Sequence, residues 1–140
     1  MGLRVAHRSL LVAAVIAGTA SVAVRRSMSP IPPQPGNEFI QLIRHDSSIP
    51  GREVIQFRVG LDSGAMTPRH KHPGDEIVLV VEGAVQYSVD GSPPLILRPG
   101  ESFFIPAGVP HAVTNVSTGY VSELTTYVAE KGTPLFVFMK

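Results

Sequence analysis

An all-β fold, a sandwich or barrel of short strands, is the architecture this sequence predicts. Three observations carry it. Past residue 38, apolar and polar residues alternate at the two-residue period of a half-buried strand. Glycines and prolines interrupt that alternation roughly every 8–12 residues, the spacing of turns between short strands. No window past residue 30 keeps a helical period over a useful length. Composition agrees. With 140 residues, 44% hydrophobic and 16% charged, the chain makes one domain with a core of its own and is too apolar for disorder. A formal net charge of +1, without a long run of one sign, argues against a nucleic-acid surface. The absence of cysteine excludes disulfides, thiolate metal sites and cysteine nucleophiles.

Residues 1–26 read as a targeting segment. Arg4 and Arg8 precede an uncharged apolar run, Leu10 to Val24. That run is shorter than the roughly 20 residues of a membrane-spanning helix and suits a signal peptide. Arg25 and Arg26 just after it oppose translocation, so an uncleaved N-terminal membrane anchor is the alternative. The expected location is the periplasm or exterior, or the membrane surface. Residues 27–37, with four prolines between Pro30 and Pro35, read as an extended linker. Residues 38–140 form the folded domain.

Within it, "REVIQFRVGL" places Ile55, Phe57 and Val59 on one face and Gln56 and Arg58 on the other. "EIVLVVEG" is a β-branched run. "AVQYSV" alternates Val85, Tyr87 and Val89, then meets Asp90-Gly91, a hairpin signal in which both turn residues take positive φ. "PPLILR", "SFFIP", "HAVTNV" and "YVSELTTYVA" continue the strand pattern.

The chemistry concentrates in "RHKHPGDE", residues 69–76. On an extended segment His70 and His72 point to one face and Lys71 and Arg69 to the other. Two imidazoles so placed can chelate one ion. Glu76, beyond an expected Pro73-Gly74 turn, can swing back as an oxygen ligand. Nitrogen plus carboxylate without sulfur suits one divalent transition metal, among Mn, Fe, Co, Ni, Cu and Zn. His45, in "RHDSS", reads as a solvated loop histidine.

The spacing then resembles the cupins, a superfamily of small β-barrels. Gly64, five residues, His70-Lys71-His72, three residues, Glu76, six residues and Gly83 match the first cupin motif. Gly100, five residues, Pro106-Ala107-Gly108, two residues, His111, three residues and Asn115 match the second. The resemblance covers roughly residues 38–130 and implies a single-domain jelly-roll barrel. It also implies that His70, His72, Glu76 and His111 ligate one metal, that Pro106 fixes the turn presenting His111, and that Asn115 is structural. Of the two adjacent acids, Glu76 fits the motif and Asp75 does not. Germin-like oxalate enzymes and quercetin dioxygenase-like proteins have a similar ligand set. The implied function is a metal-dependent, dioxygenase-like oxidoreductase acting on a small organic molecule. Glu76 doubles as a catalytic base in this reading. The alternative is a non-catalytic cupin that binds metal or a small ligand. Val78, Val80 and Phe104 are expected to line an apolar cup, and no second acid or base accompanies the motifs. Partners are a small-molecule ligand or substrate and a second copy in a homodimer, with no nucleic acid.

Overall fold

The computed structural model describes residue 31 and residues 34–140. The expected targeting segment, residues 1–26, and most of the proline-rich stretch lie outside the described residues. Ten strands follow in chain order: β1 (Asn37–Asp46), β2 (Arg52–Leu61), β3 (His70–Lys71), β4 (Gly74–Glu82), β5 (Val85–Val89), β6 (Leu95–Leu97), β7 (Ser102–Ile105), β8 (His111–Asn115), β9 (Val121–Glu130) and β10 (Val137–Phe138). There is no helix among the described residues. The strands form two antiparallel five-stranded sheets, ordered β1-β2-β9-β4-β7 and β10-β3-β8-β5-β6. This is the jelly-roll barrel that the cupin resemblance implied.

The period-two pattern sets what faces inward. On β2, Ile55, Phe57, Val59 and Leu61 are buried, and the intervening Arg58 is exposed. On β4, Glu76, Val78 and Val80 point in, and Ile77, Leu79 and Val81 point out. On β9, Val121, Glu123, Thr125, Tyr127 and Ala129 share the buried face. The core is thus apolar along most of its length, with carboxylates at inward positions on three strands: Glu53, Glu76 and Glu123. Glu53 is neutralised locally by Arg44, which donates to both of its oxygens at 2.7 and 2.9 Å. A paired fork of this kind satisfies a buried carboxylate.

Two turn readings need correction. Asp90 does not take positive φ; only Gly91 does, at 77°. The loop between β5 and β6 runs from Asp90 to Pro94, too long for the tight two-residue turn that would need both. Pro73-Gly74 is not a free turn either, since Gly74 already belongs to β4 and pairs with Ala129. A Cβ there would sit 2.2 Å from the Val128 carbonyl oxygen. Glycine is required at this point by the close approach of two backbones.

Candidate metal centre

The site is built where the two sheets face each other. His70 on β3 and His111 on β8 are direct cross-strand partners, which sets their rings 4.5 Å apart. His72 lies between β3 and β4, and Gly108 donates its N–H to the His72 carbonyl at 2.9 Å, tying the segment before His111 to the one carrying His72. Glu76 comes from the other sheet. It is opposite Tyr127 of β9, whose hydroxyl donates to Glu76 Oε1 at 3.1 Å. All four of His70, His72, Glu76 and His111 are buried.

The hydrogen bonds fix which imidazole nitrogens face the centre. Nδ1–H of His70 donates to the Pro68 carbonyl at 2.7 Å, that of His72 to the Leu135 carbonyl at 2.7 Å, and that of His111 to the Val109 carbonyl at 3.0 Å. A carbonyl partner requires the proton on Nδ1, which leaves Nε2 as a lone pair. Ring nitrogens of the three histidines lie within 4.8 Å of one another. Glu76 Oε2 is 3.0 Å from His111 Nε2 and 3.3 Å from His72 Nε2. Neither approach is aligned as a hydrogen bond, and these three atoms are buried without partners. Lone pairs facing a carboxylate oxygen at that distance repel unless a cation or proton lies between them. The three histidines can hold a metal ion, and the carbonyl-held Nδ1 atoms orient them as metal-ligating imidazoles are oriented elsewhere.

The electrostatics of the metal-free site follow from burial and mutual proximity. Burial, aided by His72, pushes the His70 imidazole down to about 4. For His111 burial acts the same way, but the Glu76 carboxylate outweighs it and holds the imidazole above its usual range. Burial resists ionisation of Glu76, yet His111 and His72 beside it hold its carboxyl well below the usual carboxylate range. Such a carboxylate is a poor proton acceptor, which favours its use as an oxygen ligand over its use as a base.

Around these residues lies a small cavity, with about 20 Å³ in which the centre of a water can sit. Its walls include Thr67, Tyr87, Glu123, Thr125, Tyr127 and Phe136 beside His70, His111 and Glu76. Two expectations fail here. The walls are not Val78, Val80 and Phe104. The two valines are buried elsewhere in the core, and Phe104 is 53% exposed on the outer face, its alternation phase being opposite to that of Phe103 and Ile105. A second acid is also present. Glu123 is 1% exposed, accepts a hydrogen bond from Tyr87 at 3.0 Å, and is pushed by burial up to about 8. The signal was legible: in "VSELTTYVA" Glu123 stands in phase with Val121 and Tyr127, an inward position that a solvated acid avoids.

The C-terminal segment was also missed. The Phe136 ring lies 4.9 Å from His72 and 5.4 Å from His70, and β10 pairs with β3. The bystanders are placed as their phase predicts. Arg69 is half exposed and pairs with Asp90. Asp75 accepts the Ala107 N–H at 3.1 Å, outside the cavity. Asn115 donates to the carbonyls of Leu61, Asp62 and Gly119, a loop clamp. His45 is exposed, though it lies within β1, next to its last residue, and is not in a loop.

A family described as a cupin domain matches residues 57–127. The chain is 39% identical over 59 residues to the dimethylsulfoniopropionate lyase DddQ of Ruegeria pomeroyi; the stretch is 42% of this chain and 29% of that protein, so the chain spans under a third of this relative. The crystal structure of that lyase matches with a TM-score of 0.56 at 29% identity, over 61% of this chain and 43% of the other. Oxalate oxidase in complex with the substrate analogue glycolate matches with a TM-score of 0.62 at 24% identity, over 81% and 60%. A cupin-like protein from Thermotoga maritima gives 0.62 at 23%, over 74% and 75%. The last two likenesses are of fold alone. The family match takes in more than half of the chain, including β3, β4 and β8 that carry the site, and the chain belongs to the cupin family.

Proposed function

We propose that His70, His72, His111 and Glu76 hold one divalent transition metal and that the chain is a metal-dependent cupin enzyme acting on a small organic acid. The observation that carries this is the set of buried, partnerless atoms, Nε2 of His72 and His111 and Oε2 of Glu76, turned toward one point. Three imidazoles and one carboxylate fill four positions, so a six-coordinate ion keeps two for substrate or dioxygen. When bound, the ion polarises a coordinated oxygen or lowers the pKa of a bound water. The protein's own part is to fix geometry and exclude bulk water. The carbonyls of Pro68, Leu135 and Val109 lock the rings, Tyr127 holds Glu76, and Phe136 packs against His70 and His72.

The cavity's size and polar walls support a two- or three-carbon acid over the larger apolar or aromatic ligand expected from sequence. A dioxygenase-like oxidoreductase is the first reading of the reaction. The identity to a dimethylsulfoniopropionate lyase supports a second, elimination from a small acid. Elemental analysis of protein purified without chelators should find about one metal per chain, lost in a His72→Ala, Glu76→Ala double variant. Full metal content in that variant would sink the ligand assignment. Oxygen uptake with small acids distinguishes the oxidase reading from release of an unsaturated product, and tight binding with neither leaves a non-catalytic carrier.

Two further expectations remain part of this proposal. Export follows from the leader, and N-terminal sequencing of the mature protein tests it. Homodimerisation is supported by the exposed Ile77, Leu79, Val81 and Phe104 on the outer face of β4 and β7, and sedimentation tests it.

A further inference from the structure

Glu123 has no place in the metal set, yet it faces the same cavity. In register it lies between Val59 of β2 and Val80 of β4, both buried. No salt bridge among the described residues involves it. Tyr87 from the opposite sheet donates to Oε1 at 3.0 Å, and the Glu123 side chain lines the cavity. Thr125, two residues along, lines the cavity with its buried hydroxyl lacking an aligned partner. The charged and titratable groups around Glu123 are Tyr87 on β5, Glu76 on β4 and His111 on β8, with Tyr127 on its own strand. An acid flanked by valines, with a second carboxylate nearby and no cation bonded to it, keeps its proton. It then offers an O–H toward the cavity, which a ligand oxygen can accept.

We propose that Glu123, positioned by Tyr87, anchors the substrate: its protonated carboxyl donates a hydrogen bond to one oxygen of a small carboxylic acid whose other polar end goes to the ion. This rests on the metal reading above. It also explains why an acid and not an amine is the expected ligand. A divalent ion with ionised Glu76 leaves one positive charge, which a monocarboxylate neutralises while Glu123 stays uncharged. The upward displacement of Glu123 by burial is consistent with the same arrangement.

The test uses the full chain loaded with Co(II), whose visible absorption reports ligands joining the ion, and glycolate as the probe. Cobalt affinity and glycolate affinity are measured separately in wild type, Glu123→Gln and Glu123→Val. Cobalt affinity is expected to be equal in all three. Glycolate affinity is expected to be kept in Glu123→Gln, whose amide still donates, and to fall at least 10-fold in Glu123→Val. Wild-type affinity for glycolate should decline at alkaline pH, where Glu123 gives up its proton, and that decline should vanish in Glu123→Gln. Equal glycolate affinity in all three, with cobalt bound normally, overturns the anchor and leaves the metal reading standing. A wild type that takes up no cobalt overturns the metal reading and the anchor with it. Glycolate binding that strengthens as pH rises overturns the protonated carboxyl.

Discussion

At the scale of single residues, the site is a problem in where protons go. The Nδ1 bonds make each histidine a one-sided base, and Glu76 faces two of those lone pairs. Removing the Tyr127 hydroxyl (Tyr127→Phe) frees Glu76 Oε1 inside the barrel, and metal affinity should drop about 10-fold by calorimetry, as for other supporting groups around metal ligands. Glu123 makes a prediction of opposite sign to the usual acid. Its folded pKa of about 8 lies above the unfolded value near 4.5, so between them the unfolded state alone has released the proton. Its stabilising contribution is therefore full at low pH and lost as pH rises toward 8, by about 1.4 kcal/mol per pH unit. Urea unfolding of the metal-free protein should show Glu123→Gln gaining on wild type from pH 5 to pH 8. The three histidines and Glu76 were legible because their spacing is a local property of the chain. Tyr127 was overlooked because its meaning depends on a register, Glu76 against Tyr127, that only strand pairing across 51 residues creates, whereas the inward phase of Glu123 was present in the sequence and went unread.

At the scale of elements, strand alternation was the dependable signal and turns the weak one. Every strand named from sequence exists, and β2, β4 and β9 bury the residues their phase selects. Phe104 shows how sharp that rule is, since one position separates a wall residue from an exposed one. Turns failed where a glycine served something other than a turn. Gly74 lets β4 pass close to β9, and Gly74→Ala should cost about 1–3 kcal/mol, the range for overpacking, with a matching fall in urea midpoint. The shift also moves Glu76, two residues on, so metal content should fall with it. The Arg44–Glu53 fork predicts a different effect. Arg44→Ala leaves a buried carboxylate unpaired and should destabilise by about 2–4 kcal/mol without changing metal content in the fraction that stays folded.

For the whole molecule, the apolar core on β2, β4, β5 and β9 is independent of any ion, so chelation should leave the far-ultraviolet strand signature in place. Metal should still raise the melting temperature with the logarithm of its concentration over its Kd, because only the folded barrel presents the set. Loss of strand signal on chelation would falsify this division between core and site. The barrel was legible as a class, and which strands neighbour which was not, because pairs such as β2 with β9 join residues far apart in sequence. That long-range pairing has one more consequence. His70 and His111 ride on one sheet and Glu76 on the other. An ion held by all four residues would therefore gauge the gap between two layers. A substitution anywhere that lets the layers slide or splay, even at a surface far from the cavity, will be read first as weakened metal binding, before any change in secondary structure can be seen.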